Sequence, residues 1–133
     1  MSNGIHRVRL SQGCRAAMVA FAAVAVLGSA GEARADSHGA RLFNQCKACH
    51  VLDAGVNRVG PSLADLNGRT AGTVDGFRYS PALANSGIVW TEETLKAYLA
   101  DPRGYIPGNR MAFRGIAKEE DRDELADYLL GDD

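Results

Sequence analysis

The chain is poor in several features, and each shortage removes a class of protein. No internal repeat or low-complexity tract runs through it, which excludes a solenoid, and its four prolines are too few for a linker-rich chain. Nowhere do apolar and polar residues alternate well enough to mark a half-buried strand. Positive charge is not in excess. The formal net charge is −1, and over residues 36–133 it is −4, which argues against a nucleic-acid partner, since such a partner usually requires a basic face. The uninterrupted apolar run at residues 16–27 is 12 residues long, short of the roughly 20 that span a bilayer core. Cysteine, histidine and methionine number only three each among 133 residues, so the position of each carries weight. The length suits one domain.

The apolar run belongs to a separate segment. Residues 1–15 carry His6, Arg7, Arg9 and Arg15 with no acid, the run follows, and small residues lead to Ala33, Arg34 and Ala35. A basic start, a short apolar centre and an A-x-A exit are the parts of a secretory signal peptide. Residues 1–35 are therefore expected to direct export and be removed, an uncleaved anchor being the alternative. Residues 36–133 would form the mature domain in the periplasm. That part holds eleven Lys and Arg against fifteen Asp and Glu, a formal net of −4. Cys14 precedes the apolar run, whereas a lipid-bearing cysteine would follow it, so it leaves with the segment. Cys46 and Cys49 remain.

Helical periodicity is expected in three places. Around residues 38–48, Gly39, Leu42 and Phe43 can share one packing face. Residues 91–101 offer Thr91 as an N-cap, Glu92 and Glu93 in the first turn, and Leu95, Tyr98 and Leu99 at helical spacing, with Pro102 as the stop. Residues 118–130 repeat the pattern with Glu119, Glu120 and Asp121 first, then Leu125, Tyr128 and Leu129, and Gly131 just past the end. Residues 53–80, with glycines at 55, 60, 68, 72 and 76, read as loop. The class is all-α with long connections. Such a domain lacks the apolar mass for a good core, and a large prosthetic group would supply it.

Cys46-Lys47-Ala48-Cys49-His50 has the C-x-x-C-H spacing of c-type haem attachment. Two thiols three residues apart can add to the two vinyl groups of one porphyrin, and the next residue then sets an imidazole beneath the iron. Three rivals are weaker. A thioredoxin-like pair would follow a strand and open a long helix. A structural zinc site would need four ligands, and only Cys46, Cys49, His50 and the distant His38 are at hand. A disulfide between the two would staple almost nothing. For the second axial position, Met111 is the only methionine of residues 36–133. It lies in a Pro- and Gly-bearing loop, Tyr105 to Phe113, where a thioether ligand is a better reading than core filler. His/Met ligation fills both axial sites and favours electron transfer over reaction with oxygen or peroxide.

At this point the sequence resembles the class I cytochromes c, bacterial periplasmic and mitochondrial alike, from Gly39 to Leu130. Beyond C-x-x-C-H, the resemblance rests on Gly60-Pro61-Ser62-Leu63, Gly68-Arg69, Tyr79, Trp90, Tyr98 and the Tyr105-to-Phe113 loop. It implies the cytochrome c fold, short helices and long loops around one covalent haem. It also implies His50 as proximal ligand donating its other ring nitrogen to the Pro61 carbonyl, Met111 as distal ligand, and Tyr98 bonded to the Met111 sulfur. Arg69, Tyr79 and Trp90 would hold a buried haem propionate, and Phe113 would shield the methionine side. The segment at Gly39 and Phe43 would cross the terminal helix near Leu125 and Tyr128. The family usually has Thr before a Lys–Met pair. Here Asn109 and Arg110 stand instead, and Asn109 is expected to bond a propionate.

The expected function is that of a monomeric electron carrier and not an enzyme. Electrons would come from a cytochrome bc complex or a dehydrogenase and pass to a terminal oxidase, a reductase or a photosynthetic centre. A membrane would be met only through such complexes. Lys47, Arg58, Arg103, Arg110, Arg114 and Lys118 are expected to ring the haem edge, with the acids of the terminal helix on the far side. An open-iron peroxidase or gas sensor is the alternative of a different class. It would require Met111 to be off the iron.

Overall fold

Local capping signals set where the helices begin and end. The computed structural model describes residues 37–131, so the expected signal segment 1–35 and Cys14 lie outside the described residues. The Ser37 hydroxyl accepts the Ala40 N–H at 3.2 Å and starts α1, His38–Phe43. The helix is shorter than the periodicity around 38–48 suggests. After Phe43 the bonding tightens to i→i+3, from Asn44 to Arg41, Gln45 to Leu42 and Cys46 to Phe43, as helix ends commonly do. The cysteines thus sit in turns rather than on a helix face.

A short α2, Pro81–Ala84, follows the long loop, with Ser80 as N-cap and Pro81 in the first turn. Thr91 opens α3, Glu92–Ala100, through a reciprocal capping box with Thr94. Pro102 ends that helix as expected and also begins another, α4, Pro102–Tyr105, whose N-cap Asp101 accepts the Gly104 N–H at 3.0 Å. The terminal helix α5 runs Glu119–Leu130 and closes on Gly131 at φ 87°, the left-handed cap that glycine adopts without strain. Among the described residues there is no multi-residue strand, only an isolated antiparallel bridge between Thr70 and Val89. Its flanking bonds, Trp90 N–H to the Arg69 carbonyl at 2.9 Å and Ala71 N–H to the Ile88 carbonyl at 2.7 Å, set Arg69 beside Trp90. None of the described helices is long and apolar enough to cross a membrane.

The helices pack through α5, which contacts both α1 and α3. Leu125 and Ala126 are fully buried there, and a leucine so placed contributes about 1.5–3 kcal/mol relative to exposure. Phe43 meets Tyr128 with ring centroids 5.7 Å apart, so the crossing lies where the resemblance implies. Gly39 makes it possible. A Cβ on Gly39 would lie 2.3 Å from the Glu124 carbonyl oxygen and 2.5 Å from the Tyr128 Cβ.

Gly39→Ala therefore sets two effects against each other. Helix propensity gains up to about 1 kcal/mol, while the clash falls on backbone that cannot rotate away. The clash wins, and the variant is expected to lose about 1–3 kcal/mol, read as a lower melting temperature of the matured protein. A variant as stable as the parent would show that α1 and α5 have room to spare.

Candidate cofactor site

Between the helices and the long loop lies a cavity of about 450 Å³, within the usual range for a bound small molecule or cofactor. Cys46, Cys49, His50, Pro61, Arg69, Tyr79, Trp90, Tyr98, Asn109, Met111 and Phe113 all line it. Every residue expected to attach, ligate or hold the haem is thus brought to one place. Leu63, Leu66, Leu83, Leu95, Leu99 and Leu129 complete a largely apolar wall.

The C-x-x-C-H turn is fixed by backbone bonds from the Cys49 and His50 N–H groups to the Cys46 carbonyl, at 3.0 and 2.9 Å. The loop carrying Pro61 is tied beside it: Gly60 N–H donates to the Cys49 carbonyl at 2.8 Å and Leu63 N–H to the Val51 carbonyl at 2.9 Å. That places the Pro61 carbonyl 2.8 Å from His50 Nδ1. Burial lowers the His50 pKa, with the Pro61 contact acting in the opposite direction, so the ring is neutral near pH 7. With Nδ1–H donating to Pro61, the lone pair is on Nε2. That is the tautomer a metal ligand needs. Gly60 allows the ring this position, since a Cβ there would lie 2.3 Å from His50 Cε1.

Neither Cys46 nor Cys49 is in a disulfide. Burial, and the neighbouring Cys49, push the Cys46 thiol up to about 11. A redox dithiol needs the reverse shift to expose a reactive thiolate. No three His, Cys, Asp or Glu side chains among the described residues group as a metal cluster would. The zinc and thioredoxin readings therefore have no structural counterpart.

On the methionine side, the Tyr98 hydroxyl donates to Met111 Sδ at 3.7 Å. Burial pushes that hydroxyl up to about 12, with the Asn109 amide working the other way, so it stays protonated and a donor. Trp90 packs on Tyr98 with centroids 5.1 Å apart. The Arg69 guanidinium donates to the Ser62 carbonyl at 3.0 Å and to the Ala64 carbonyl. Desolvation lowers its pKa, while Tyr79 and Asp65 help keep it charged. Arg69, Tyr79 and Trp90 thus share the cavity wall, with one cation among them.

Three residues were given no role of their own by the sequence. Ser62 is 2% exposed, its hydroxyl donates to the Asp53 carbonyl at 2.7 Å, and its N–H donates to Asn57 Oδ1 at 3.0 Å. Asn57 in turn donates to the Asp75 carbonyl at 2.9 Å, which makes the pair a brace for the loop. Arg78 joins Arg110 on the cavity lining. Among the residues expected to ring the edge, Lys118 is paired with Glu120 at 2.9 Å and Asp121 at 3.6 Å, at the head of α5.

The donor set fits a covalently held haem. Two unbridged thiols, a neutral imidazole with its outer nitrogen satisfied and a thioether under a hydroxyl donor all border one apolar cavity.

Comparison with known proteins points the same way. The family model described as cytochrome c matches residues 37–131. Over 87 residues the chain is 53% identical to cytochrome c2 iso-2 of Magnetospirillum fulvum, covering 65% of this chain and 91% of that protein. It is 47% identical over 92 residues to cytochrome c-550 of Nitrobacter winogradskyi, covering 68% and 84%. Among solved structures, cytochrome cH from Methylobacterium extorquens superposes with a TM-score of 0.65 at 41% identity, covering 69% of this chain and 93% of that one.

Gly60→Ala tests the imidazole geometry. The added methyl should drive the His50 ring off the Pro61 carbonyl and weaken its hold on a metal by about ten- to a hundredfold, the usual effect of a lost outer partner. Proton NMR of the matured protein should then lack the hydrogen-bonded Nδ1 proton of His50. An unchanged signal would mean that the glycine is not what admits the ring.

Proposed function

This chain belongs to the cytochrome c family, and on that premise we propose that it carries single electrons between redox proteins of the periplasm. It is an electron carrier of the cytochrome c2 type and not an enzyme, and it holds one haem c through Cys46 and Cys49. The haem, when bound, supplies an iron that gains and loses one electron.

The chain's own residues do the rest. His50 offers Nε2 because Nδ1 is committed to Pro61, and Met111 offers a sulfur oriented by Tyr98. With His50 and Met111 both held in place by the fold as ligands, little would have to rearrange between oxidation states. The leucine wall excludes water, which favours the less charged state of the buried centre. Arg69, with Tyr79 and Trp90, is suited to hold a propionate whose charge would otherwise be costly to bury. Phe113 covers the methionine side. Arg78 and Arg110 at the cavity suit docking to acidic faces of partner proteins. Suitable donors are a cytochrome bc complex or a periplasmic dehydrogenase; suitable acceptors are a terminal oxidase, a reductase or a photosynthetic centre.

One observation carries the reading: His50 and Met111, from segments far apart in sequence, border the same cavity as the two thiols. An open-iron enzyme would need an acid or base at the free site. Among the described residues lining the cavity, His50 is the only histidine and no carboxylate is present.

Absorption spectra of protein matured in a host that attaches haem c test the ligation. The parent should show sharp α and β bands when reduced and a weak near-infrared sulfur–iron band when oxidised. Met111→Ala should abolish the near-infrared band, lower the potential and admit carbon monoxide to the reduced iron. A variant with the parent's spectrum and potential would show that another residue is the ligand.

A further inference from the structure

The loop that carries Met111 has little backbone support. Among the described residues, no backbone N–H from Arg110 to Gly115 bonds to a backbone carbonyl, and the ladder resumes only where Ile116 N–H reaches the Leu99 carbonyl at 2.8 Å. Upstream, Asn109 N–H donates to the Ile106 carbonyl at 3.1 Å and closes a turn with Pro107 second and Gly108 third, at φ 91°. That is a type II arrangement, rigid because proline and glycine each suit their place. Met111 stands two residues beyond it, and a thioether is a neutral, weak ligand that cannot organise its own loop.

The Asn109 side chain bridges the gap. Its Oδ1 accepts the Met111 N–H at 2.6 Å, and its Nδ2 donates to the Pro102 carbonyl at 3.0 Å. The same carbonyl accepts the Ile106 N–H at 3.2 Å, using both lone pairs. Pro102 is a firm anchor, since its side chain is among the most completely buried in the protein. A single amide therefore ties the methionine backbone to the start of α4. By sequence, Asn109 is expected to bond a propionate; in the structure its amide also bonds the protein at both ends, the oxygen to Met111 and the nitrogen to Pro102.

We propose that Asn109 is the positioning residue of the methionine ligand, clamping the Met111 backbone to the Pro102 carbonyl and so setting how often the sulfur leaves the iron. This rests on the His50/Met111 ligation proposed above. The cavity makes the consequence readable. No lysine, second histidine or second methionine lines it among the described residues, and an arginine guanidinium has donors only and no acceptor to offer a metal. When Met111 swings away, no lysine, second histidine or second methionine of the lining can replace it, and an added ligand reports the opening directly.

The test is the rate at which imidazole binds the oxidised, haem-loaded protein, followed beside the near-infrared sulfur–iron band and the melting temperature. Asn109→Ala removes both bonds together with the amide's contact to the Tyr98 hydroxyl, and should speed binding by about ten- to a hundredfold, as loss of two ordinary hydrogen bonds already allows. Asn109→Ser keeps an acceptor for the N–H two residues on but not the donor to Pro102. It should fall midway on a logarithmic scale, and it preserves the test if the alanine variant does not fold. Imidazole binding at the parent's rate in both variants would overturn the proposal, even if both melted earlier. So would an altered pH dependence of the potential without faster binding, which would assign Asn109 to a propionate. A parent protein without the sulfur–iron band would remove the ligation itself, and the proposal with it.

Discussion

Everything in this structure is arranged around a space that its own side chains do not fill. The described chain has five short helices and a connection of nearly forty residues between the first two. The buried side chains form one cluster that runs from Leu66, Trp90 and Ile106 to Leu125 and Ala126, which are completely buried where α5 meets α1 and α3. Apolar side chains, among them Leu63, Leu66, Leu83 and Leu99, turn toward a cavity of about 450 Å³. An empty apolar space of that size would forfeit dispersion contacts along its whole lining. The haem is thus part of the core as much as the working group. The same burial that stabilises it also excludes water from the iron.

That constraint explains why the polar contacts are placed as they are. The long loop cannot rely on helix or sheet bonding, so it is braced by side chains: Ser62 to Asp53, Asn57 to Asp75, Arg69 to Ser62 and Ala64. The braced stretch supplies Leu63, Leu66 and Arg69 to the cavity wall. The Pro61 carbonyl that orients His50 sits beside Ser62, and the Thr70–Val89 bridge delivers Arg69 and Trp90 together. Glycines serve the same end by permitting close approach, of α1 to α5 at Gly39 and of the His50 ring at Gly60.

Much of this could be read from the residues, and the parts that could not share a cause. C-x-x-C-H, the lone Met111 and the Thr91 and Gly131 caps are local signals whose chemistry needs no tertiary context, and each was legible. The end of α1 at Phe43 was not, because Asn44 and Gln45 carry no breaker and the tightening comes from the turn that follows. The α2 helix has only Ser80-Pro81 to announce it and spans four residues, too few for a periodic pattern. The brace at Ser62 and the two bonds of Asn109 depend on segments brought together by folding, and no spacing in the sequence encodes them. The pairing of Lys118 with Glu120 and Asp121 at the head of α5 was likewise not read from the sequence.

The central claim is that the chain cannot complete its core alone. Far-UV circular dichroism with thermal melting, on the full chain with Cys46→Ala and Cys49→Ala and without haem, puts that claim at risk most directly. The account predicts a largely disordered chain with no cooperative transition, against a helical, cooperatively melting protein when haem is attached. A haem-free variant with the parent's helical content and a sharp melt would contradict it, and would mean that the leucine wall can close on itself.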